Sequence, residues 1–445
     1  MSRGPKKLPD RPKVDPARLA AYDVLAAVRE DDAYANLVLP QVLRERQIGG
    51  RDAAFATELV GGTLRGQGSY DAIIDHVVGR RPDAAVRDAL RLGAHQLLAM
   101  RVPDHAAVTS TVELVRARVG HRPAGFTNAV MRKITGHDLD GWMDALDAPP
   151  AVRHSHPEWI VESLGRALDR PGELDALLTA DNERPRVTLV ARPGLSTVEE
   201  LPGEPLTISP LAAVMDSGDP GEVPAVRDGR AGVQDAGSQL VALALSRATV
   251  DGRDQRWLDL CAGPGGKAAL LAALAGGQAT RLLANERQPH RAKLVAQAMR
   301  ATTGDVVTGD GLRPSWPEGS FDRVLVDAPC SGLGALRRRP ESRWRRTPED
   351  VAGLVPLQVA LLTSALDSVR PGGVVLYATC SPVVEETAGV VEKVLANRPD
   401  AQVEDARPLV PEAHDAGSAH LEGAVQLWPH RHGTDAMFMA LLRRT

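Results

Sequence analysis

Cys330 and Cys380 are the residues of this 445-residue chain best placed to do chemistry. The first lies in Asp327-Ala328-Pro329-Cys330-Ser331-Gly332 after the apolar run at 323–326, and the second in Thr379-Cys380-Ser381 after the run at 374–378. Both read as positions just past the carboxyl end of a strand, where open α/β sheets gather their active sites. Two thiols and the Asp327 carboxylate converging on one sheet edge suit covalent catalysis, provided that a helix N-terminus or a nearby cation favours one thiolate.

A second constellation precedes them. In WLDLCAGPGGK, residues 257–267, a short apolar run ends in a loop of Cys261, Ala262, Gly263, Pro264, Gly265, Gly266 and Lys267, and the alanine- and leucine-rich run 268–275 follows. Strand, glycine loop and helix place bare backbone N–H groups beside a strand end, a setting for nucleotide-like ligands. The loop fits neither the dinucleotide G-x-G-x-x-G nor the P-loop pattern, which disfavours a phosphate ligand. Glu286, about 20 residues on at the end of the second strand, stands at the offset of a ribose-diol acceptor, and Asp310 in VVTGDG could meet an adenine edge. Asp259 is open to two readings, partner of an ammonium or cap of the loop. A ribose-adenine ligand with a small zwitterionic head is S-adenosylmethionine. Cytosine C5 becomes carbanion-like once a thiolate adds at C6, and can then attack a sulfonium methyl.

The remaining elements must position these groups. Strands are expected at 257–260, 281–285, 306–307, 323–326, 374–378 and 438–442 with helices between most of them, which predicts a largely parallel doubly wound sheet. A hairpin of 425–428 with 438–442 is expected at the sheet edge. From 17 to about 136 the periodicity is helical. Leu19, Tyr22, Leu25 and Val28 form one stripe, Val86, Leu90, Gly93 and Leu97 a second, and Val108, Val112, Val115 and Val119 a third, so an all-α bundle of five to seven helices is expected. Residues 141–235, broken by prolines, read as a small α+β region with a strand at 186–191 and a loop over 203–222. Residues 1–16 carry Arg3, Lys6, Lys7, Arg11 and Lys13 among prolines and read as a disordered basic arm. The domains expected are therefore 1–16, 17–140, 141–235 and 236–445.

Composition bounds the rest. Hydrophobic residues make up 43% and charged residues 25%, and net charge is −4, so any nucleic-acid footprint must be local. No apolar run looks like a membrane span of ~18 residues, and the N-terminus lacks an export pattern; a cytoplasmic protein with no membrane partner is expected. The three cysteines are 69 and 50 residues apart, which argues against a zinc ribbon or a disulfide scaffold. His430 and His432 in WPHRHGTD lack a third ligand at suitable spacing, so no metal is expected. Arg337, Arg338, Arg339, Arg343, Arg345 and Arg346 with Trp344 fit phosphate neutralisation and base stacking, against the plainer reading of a solvated charge run.

Two resemblances sharpen this reading. ARLAAYDVLAAV, DAAFATELVGGTLR, LRLGAHQLLAM, PDHAAV and GFTNAVMRKI together resemble the NusB fold, which implies a front domain that binds RNA or ribosomal proteins. Thr109-Ser110 stands where relatives often carry Asn-Glu. LDLCAGPGGK, LLANE, GDG, FDRVLVDAPCSGLGALRRRPESRW, GGVVLYATCS and WPHRHGTDAMF stand in the order of the NOL/NOP/Sun family of RNA 5-methylcytosine methyltransferases, most like its bacterial ribosomal-RNA branch. The resemblance implies Cys380 as nucleophile, Cys330 as the residue assisting release, Asp327 at the cytosine edge or the donor's amino-acid part, and Lys267 supporting the loop and that carboxylate. It implies cofactor contacts from residues 261–267, Glu286, Asp310 and Asp327; Cys261 matches a residue common in that loop, against the plainer reading of a small packing residue. It also implies S-adenosylmethionine as cofactor and 16S ribosomal RNA as substrate; a monomer is expected. Transfer RNA as substrate, DNA cytosine methylation and a non-catalytic RNA-binding assembly factor are the rival readings.

Overall fold

The computed structural model describes residues 14–276 and 280–445; the expected basic arm lies almost wholly outside them. The described residues fold as two compact units, one of residues 14–158 with 338–344, the other of residues 159–276, 280–337 and 345–445.

The first unit is helical. Seven helices, Pro16–Glu30, Ala35–Glu45, Gly50–Arg65, Gln67–Val77, Ala84–Leu98, Asp104–Arg118 and Ala124–Ile134, occupy the stretch where helical stripes were expected. Asp15 starts the first by accepting the Arg18 N–H, with Pro16 at the first position. Tyr22, Leu25, Val86, Leu90, Val108, Val112 and Val115 are buried, so each stripe faces a core. A Cβ on Gly93 would stand 2.6 Å from the Met131 side chain, which shows how closely two helices approach there. Two short helices, Leu139–Ala145 and Pro150–Arg153, extend this unit past the expected end at 140.

The second unit holds two sheets. Four antiparallel strands, β1 (Val187–Ala191), β2 (Glu204–Pro205), β3 (Ala212–Met215) and β4 (Ala231–Val233), lie in the order β2-β3-β1-β4. The stretch 203–222, expected as a loop, therefore carries two strands: Ala212–Met215 is a four-residue apolar run, fully buried against β1.

The larger sheet contains β5 (Arg256–Asp259), β6 (Arg281–Glu286), β7 (Asp305–Thr308), β8 (Phe321–Asp327), β9 (Val369–Thr379), β10 (Ala401–Glu404), β11 (Val425–Gln426) and β12 (Phe438–Arg444). Its order is β10-β12-β9-β8-β5-β6-β7, with β11 paired to β12. β7, β6, β5, β8 and β9 run parallel, so Asp259, Glu286, Thr308, Asp327 and Thr379 end their strands at one edge. The switch in strand order falls between β5 and β8, the place where such sheets bind ligands. The β11–β12 hairpin forms as expected but not at the edge, because β12 also pairs antiparallel with β9 and with β10.

Apolar helices cover the sheet. Helix Ala236–Arg247, capped by Asp235, and helix Gly266–Gly276 bury their leucines with Trp257, Leu376 and Met439. On the other face, Leu361, Leu362, Ala365 and Leu366 of helix Pro348–Ser368 pack with Val324, Val326 and Tyr377. That helix, begun by a Thr347–Asp350 capping box, is long and apolar enough to cross a membrane by length and composition. Its leucines instead build this core.

Candidate active site

The site grows out of the strand ends. Lys267, in the first turn of the helix after the glycine loop, places Nζ 2.8 Å from Asp327 Oδ2. Burial works against the Lys267 ammonium, but attraction by Asp327, aided by Cys380 and Asp259, outweighs it and raises its pKa. Asp259 is fully buried, and burial together with the Asp327 charge pushes its pKa up to about 8. One of its oxygens accepts the Cys261 N–H at 3.3 Å, and Oδ2 has no partner among the described residues.

The glycine loop is tied to β6. Glu286 accepts the Gly263 N–H at 3.1 Å and the Gln288 N–H at 2.8 Å, while Arg291 donates to the Gly263 carbonyl at 2.6 Å. A Cβ on Gly263 would stand 2.1 Å from Glu286 Oε2, and one on Gly265, whose φ is +112°, would stand 2.8 Å from the Ala298 Cβ. A side chain at Gly265 is strained by that φ and crowded by the Val295 backbone, while one at Gly263 has to displace the Glu286 carboxylate that accepts its N–H. Burial and the carboxylates Asp259, Asp327 and Glu286 hold the Cys261 thiol well above its usual range, which suits packing and not attack. Asp310, just past β7, accepts the Leu312 N–H at 3.1 Å.

Across the β8–β9 junction, Cys330 Sγ and Cys380 Sγ are 3.5 Å apart, and both residues are half-buried. The contact with Cys380, burial and the Glu386 charge all push the Cys330 thiol up. Cys380 lies close enough to Lys267 for a charge on its sulfur to help raise the Lys267 pKa.

The arginine segment divides between the units. Arg343 is fully buried in the helical unit and donates to the carbonyls of Arg65 and Ser155 at 3.2 and 3.1 Å. Trp344 packs over Gly68, where a Cβ would stand 2.6 Å from its ring, and Arg339 is exposed with its guanidinium 5.4 Å from the Tyr34 ring centroid. In the second unit Arg337 is buried and bonded to Gly433 O and Asp435, and Arg346 donates to Ser331 O at 3.1 Å. Arg338 and Arg345 are half-buried. A solvated face made of all seven residues does not form; Arg337, Arg343 and Trp344 are taken up by protein neighbours. His430 bonds Glu173 at 2.8 Å, and His432 accepts the Trp428 N–H at 2.9 Å. No group of three metal-ligating side chains occurs among the described residues.

Comparison with known proteins decides the family. The profile of the family "16S rRNA methyltransferase RsmB/F" matches residues 249–443, and that of the NusB family matches 15–136. The ribosomal RNA small subunit methyltransferase B of Salmonella newport is 32% identical over 405 residues, covering 87% of this chain and 91% of its own. The chain belongs to the RsmB/F family of 16S rRNA methyltransferases. A Mycobacterium tuberculosis protein named as a methyltransferase, with no substrate stated, is 53% identical over 460 residues, covering 100% of this chain and 99% of its own. The crystal structure of PH0851 shares the fold at a TM-score of 0.77, with 22% identity, covering 98% of this chain and 100% of that one. In this RsmB/F chain the NusB-type bundle precedes a methyltransferase sheet, as the two profiles together require.

Sequence reasoning missed several residues near this site. Gln234, buried beside Gly266, has neither side-chain nitrogen nor oxygen bonded among the described residues, and Asn285 Oδ1 is likewise without a partner. Glu386 and Gln358 bond the loop that carries Cys330. No motif marks them, although the Ser331 and Ser381 that follow the two cysteines are a signal of shared environment.

Proposed function

We propose that the protein transfers a methyl group from S-adenosylmethionine to C5 of a cytosine in small-subunit ribosomal RNA, with Cys380 as nucleophile. The observation that carries this reading is the pair of thiols 3.5 Å apart on adjacent strand ends, beside the Lys267–Asp327 ion pair.

The residues at the β5 and β6 ends suit the donor. Glu286 keeps spare lone pairs for a ribose diol, and Asp310 lies at the next strand end. Buried oxygens without partners at Asp259 and Asn285 offer acceptors, Asp259 for an ammonium. The glycine positions keep the loop free of side chains. When bound, S-adenosylmethionine supplies an electrophilic methyl group.

The chain's own residues do the remaining work. Lys267 favours the thiolate of Cys380, which adds to C6 of the cytosine and makes C5 nucleophilic. Asp327 accepts a hydrogen bond from the base edge. After methyl transfer, the C5 proton passes to water and the C6–S bond breaks with Cys380 leaving as a thiolate, which restores the C5–C6 double bond, and Cys330, a thiol next to that sulfur, assists release. The base must leave its stack to meet the thiolate, so single-stranded or loop RNA is the substrate form.

Incubating the full chain with methyl-labelled S-adenosylmethionine and small-subunit ribosomal RNA lacking the modification tests this. Wild type should yield labelled 5-methylcytidine, Cys380→Ala none, and Cys330→Ala a protein–RNA adduct stable to denaturation. Full activity in Cys380→Ala would overturn the assignment of roles. RNA binding by wild type without transfer would overturn catalysis itself in favour of an assembly factor.

A further inference from the structure

We propose that Glu386 is a positioning residue that clamps the two cysteine loops together and so holds Cys330 and Cys380 at the separation their reaction needs. This rests on the cysteine roles proposed above.

Glu386 ends the short turn Val384–Glu386 and is fully buried. A carboxylate out of water must be satisfied by its surroundings. Here hydrogen bonds do so: one oxygen accepts the Ser331 N–H at 2.8 Å and Gln358 Nε2 at 3.0 Å, and the other accepts the hydroxyls of Ser331 at 2.5 Å and Ser381 at 2.6 Å. Ser331 directly follows Cys330, and Ser381 directly follows Cys380. One side chain therefore binds both loops immediately beside their sulfurs. The clamp is itself fixed: Tyr377 donates to the Glu386 carbonyl at 2.7 Å, and Gln358 also donates to Pro329 O at 2.9 Å, on the other side of Cys330. Four donors converge, so an acceptor-only group is required. Glutamine in this place would turn an N–H₂ group toward donors and leave at least one unpaired. The Glu386 charge also disfavours a thiolate at Cys330, which keeps that sulfur distinct from Cys380.

The separation of the sulfurs can be read without RNA or methyl donor. Diamide takes one hydrogen from each thiol and is reduced to its hydrazine as the Sγ–Sγ bond forms. From 3.5 Å the sulfurs must close to about 2.05 Å. In wild type, Cys330 and Cys380 should couple quickly, seen as a loss of two hydrogens in the mass of the peptide pair. Glu386→Gln should slow coupling about tenfold or more, since a displacement of an ångström costs that much in effective concentration. With RNA present the same variant should lower kcat, keep KM for S-adenosylmethionine, and accumulate the covalent adduct as Cys330→Ala does. A residue needed only for folding would lower the folded fraction and produce no adduct. Should Glu386→Gln not fold, Ser381→Ala removes a single donor and should still slow coupling several-fold. Wild-type coupling and no adduct in a folded variant would overturn the proposal. Methyl transfer retained by Cys380→Ala would instead overturn the cysteine roles, whatever the coupling rates.

Discussion

Lys267 and Asp327 meet at 2.8 Å where the strand order switches between β5 and β8, joining the helix after the glycine loop to the strand that leads to Cys330. The pair links the two halves of the site, with Asp259 buried behind it and Cys380 within electrostatic reach of the ammonium. Replacing Lys267 by methionine keeps an unbranched apolar stem, one atom shorter, and removes the charge. It leaves Asp327 without its cation and, on the proposed mechanism, removes the ammonium that assists attack by Cys380. We expect kcat for methyl transfer to fall about a hundredfold, the scale of losing one charge-stabilising group. Initial rates at saturating RNA and donor measure this; a loss under threefold would remove Lys267 from the chemistry.

Asp259 makes stability depend on pH. Its pKa rises from 3.8 to about 8 on folding, so between those values the folded chain holds a proton that the unfolded chain has released. Stability contributed by this group therefore falls as pH rises from about 4 to about 8, and the fall ends once the folded group ionises. Asp259→Asn abolishes that slope. Urea midpoints at pH 5 and pH 8 should drop more steeply for wild type than for Asp259→Asn; parallel drops would contradict the assignment.

Gly334 sets the backbone of the Cys380 turn. Its N–H donates to the Cys380 carbonyl at 2.9 Å, and a Cβ there would stand 2.1 Å from Ala436 O and 2.8 Å from Cys380 O. Backbone atoms cannot move aside as a side-chain end does. Gly334→Ala should cost roughly 1–3 kcal/mol of stability and displace Cys380, so activity should drop further than the folded fraction does. Thermal melts and turnover of the same preparation separate the two effects.

The parallel sheet was legible because buried strands read as apolar runs: 257–260, 281–285, 323–326 and 374–378 lie inside or within a residue of β5, β6, β8 and β9. β10 escaped because Ala-Gln-Val-Glu is an edge strand, at most half-buried, with no such run. The glycine loop and both cysteines were visible as motifs, since one loop's chemistry is local. Glu386 was not. Its role exists only through Ser331, Gln358 and Ser381, and no spacing in the chain announces that 331 and 386 touch. The burial of Arg343 was hidden for a related reason. Its guanidinium donates to the main-chain carbonyls of Arg65 and Ser155, and no residue type or spacing in the sequence marks a carbonyl as an acceptor.

Arg343 and Arg339 should therefore behave as opposites, although they are four residues apart in one basic run. Arg343→Ala leaves two buried carbonyls without their donor and opens a cavity, at a cost of roughly 2–4 kcal/mol. Its thermal midpoint should fall, while RNA affinity of the protein that remains folded should not change. Arg339 is exposed, so Arg339→Ala should leave the midpoint within error. If it neutralises a phosphate, that variant weakens RNA binding and lowers the slope of log K against log salt by about one. Paired melts and salt-dependent binding on both variants measure this. An unchanged salt slope for Arg339→Ala would take that residue out of the RNA contact, and an unchanged melt for Arg343→Ala would contradict its burial.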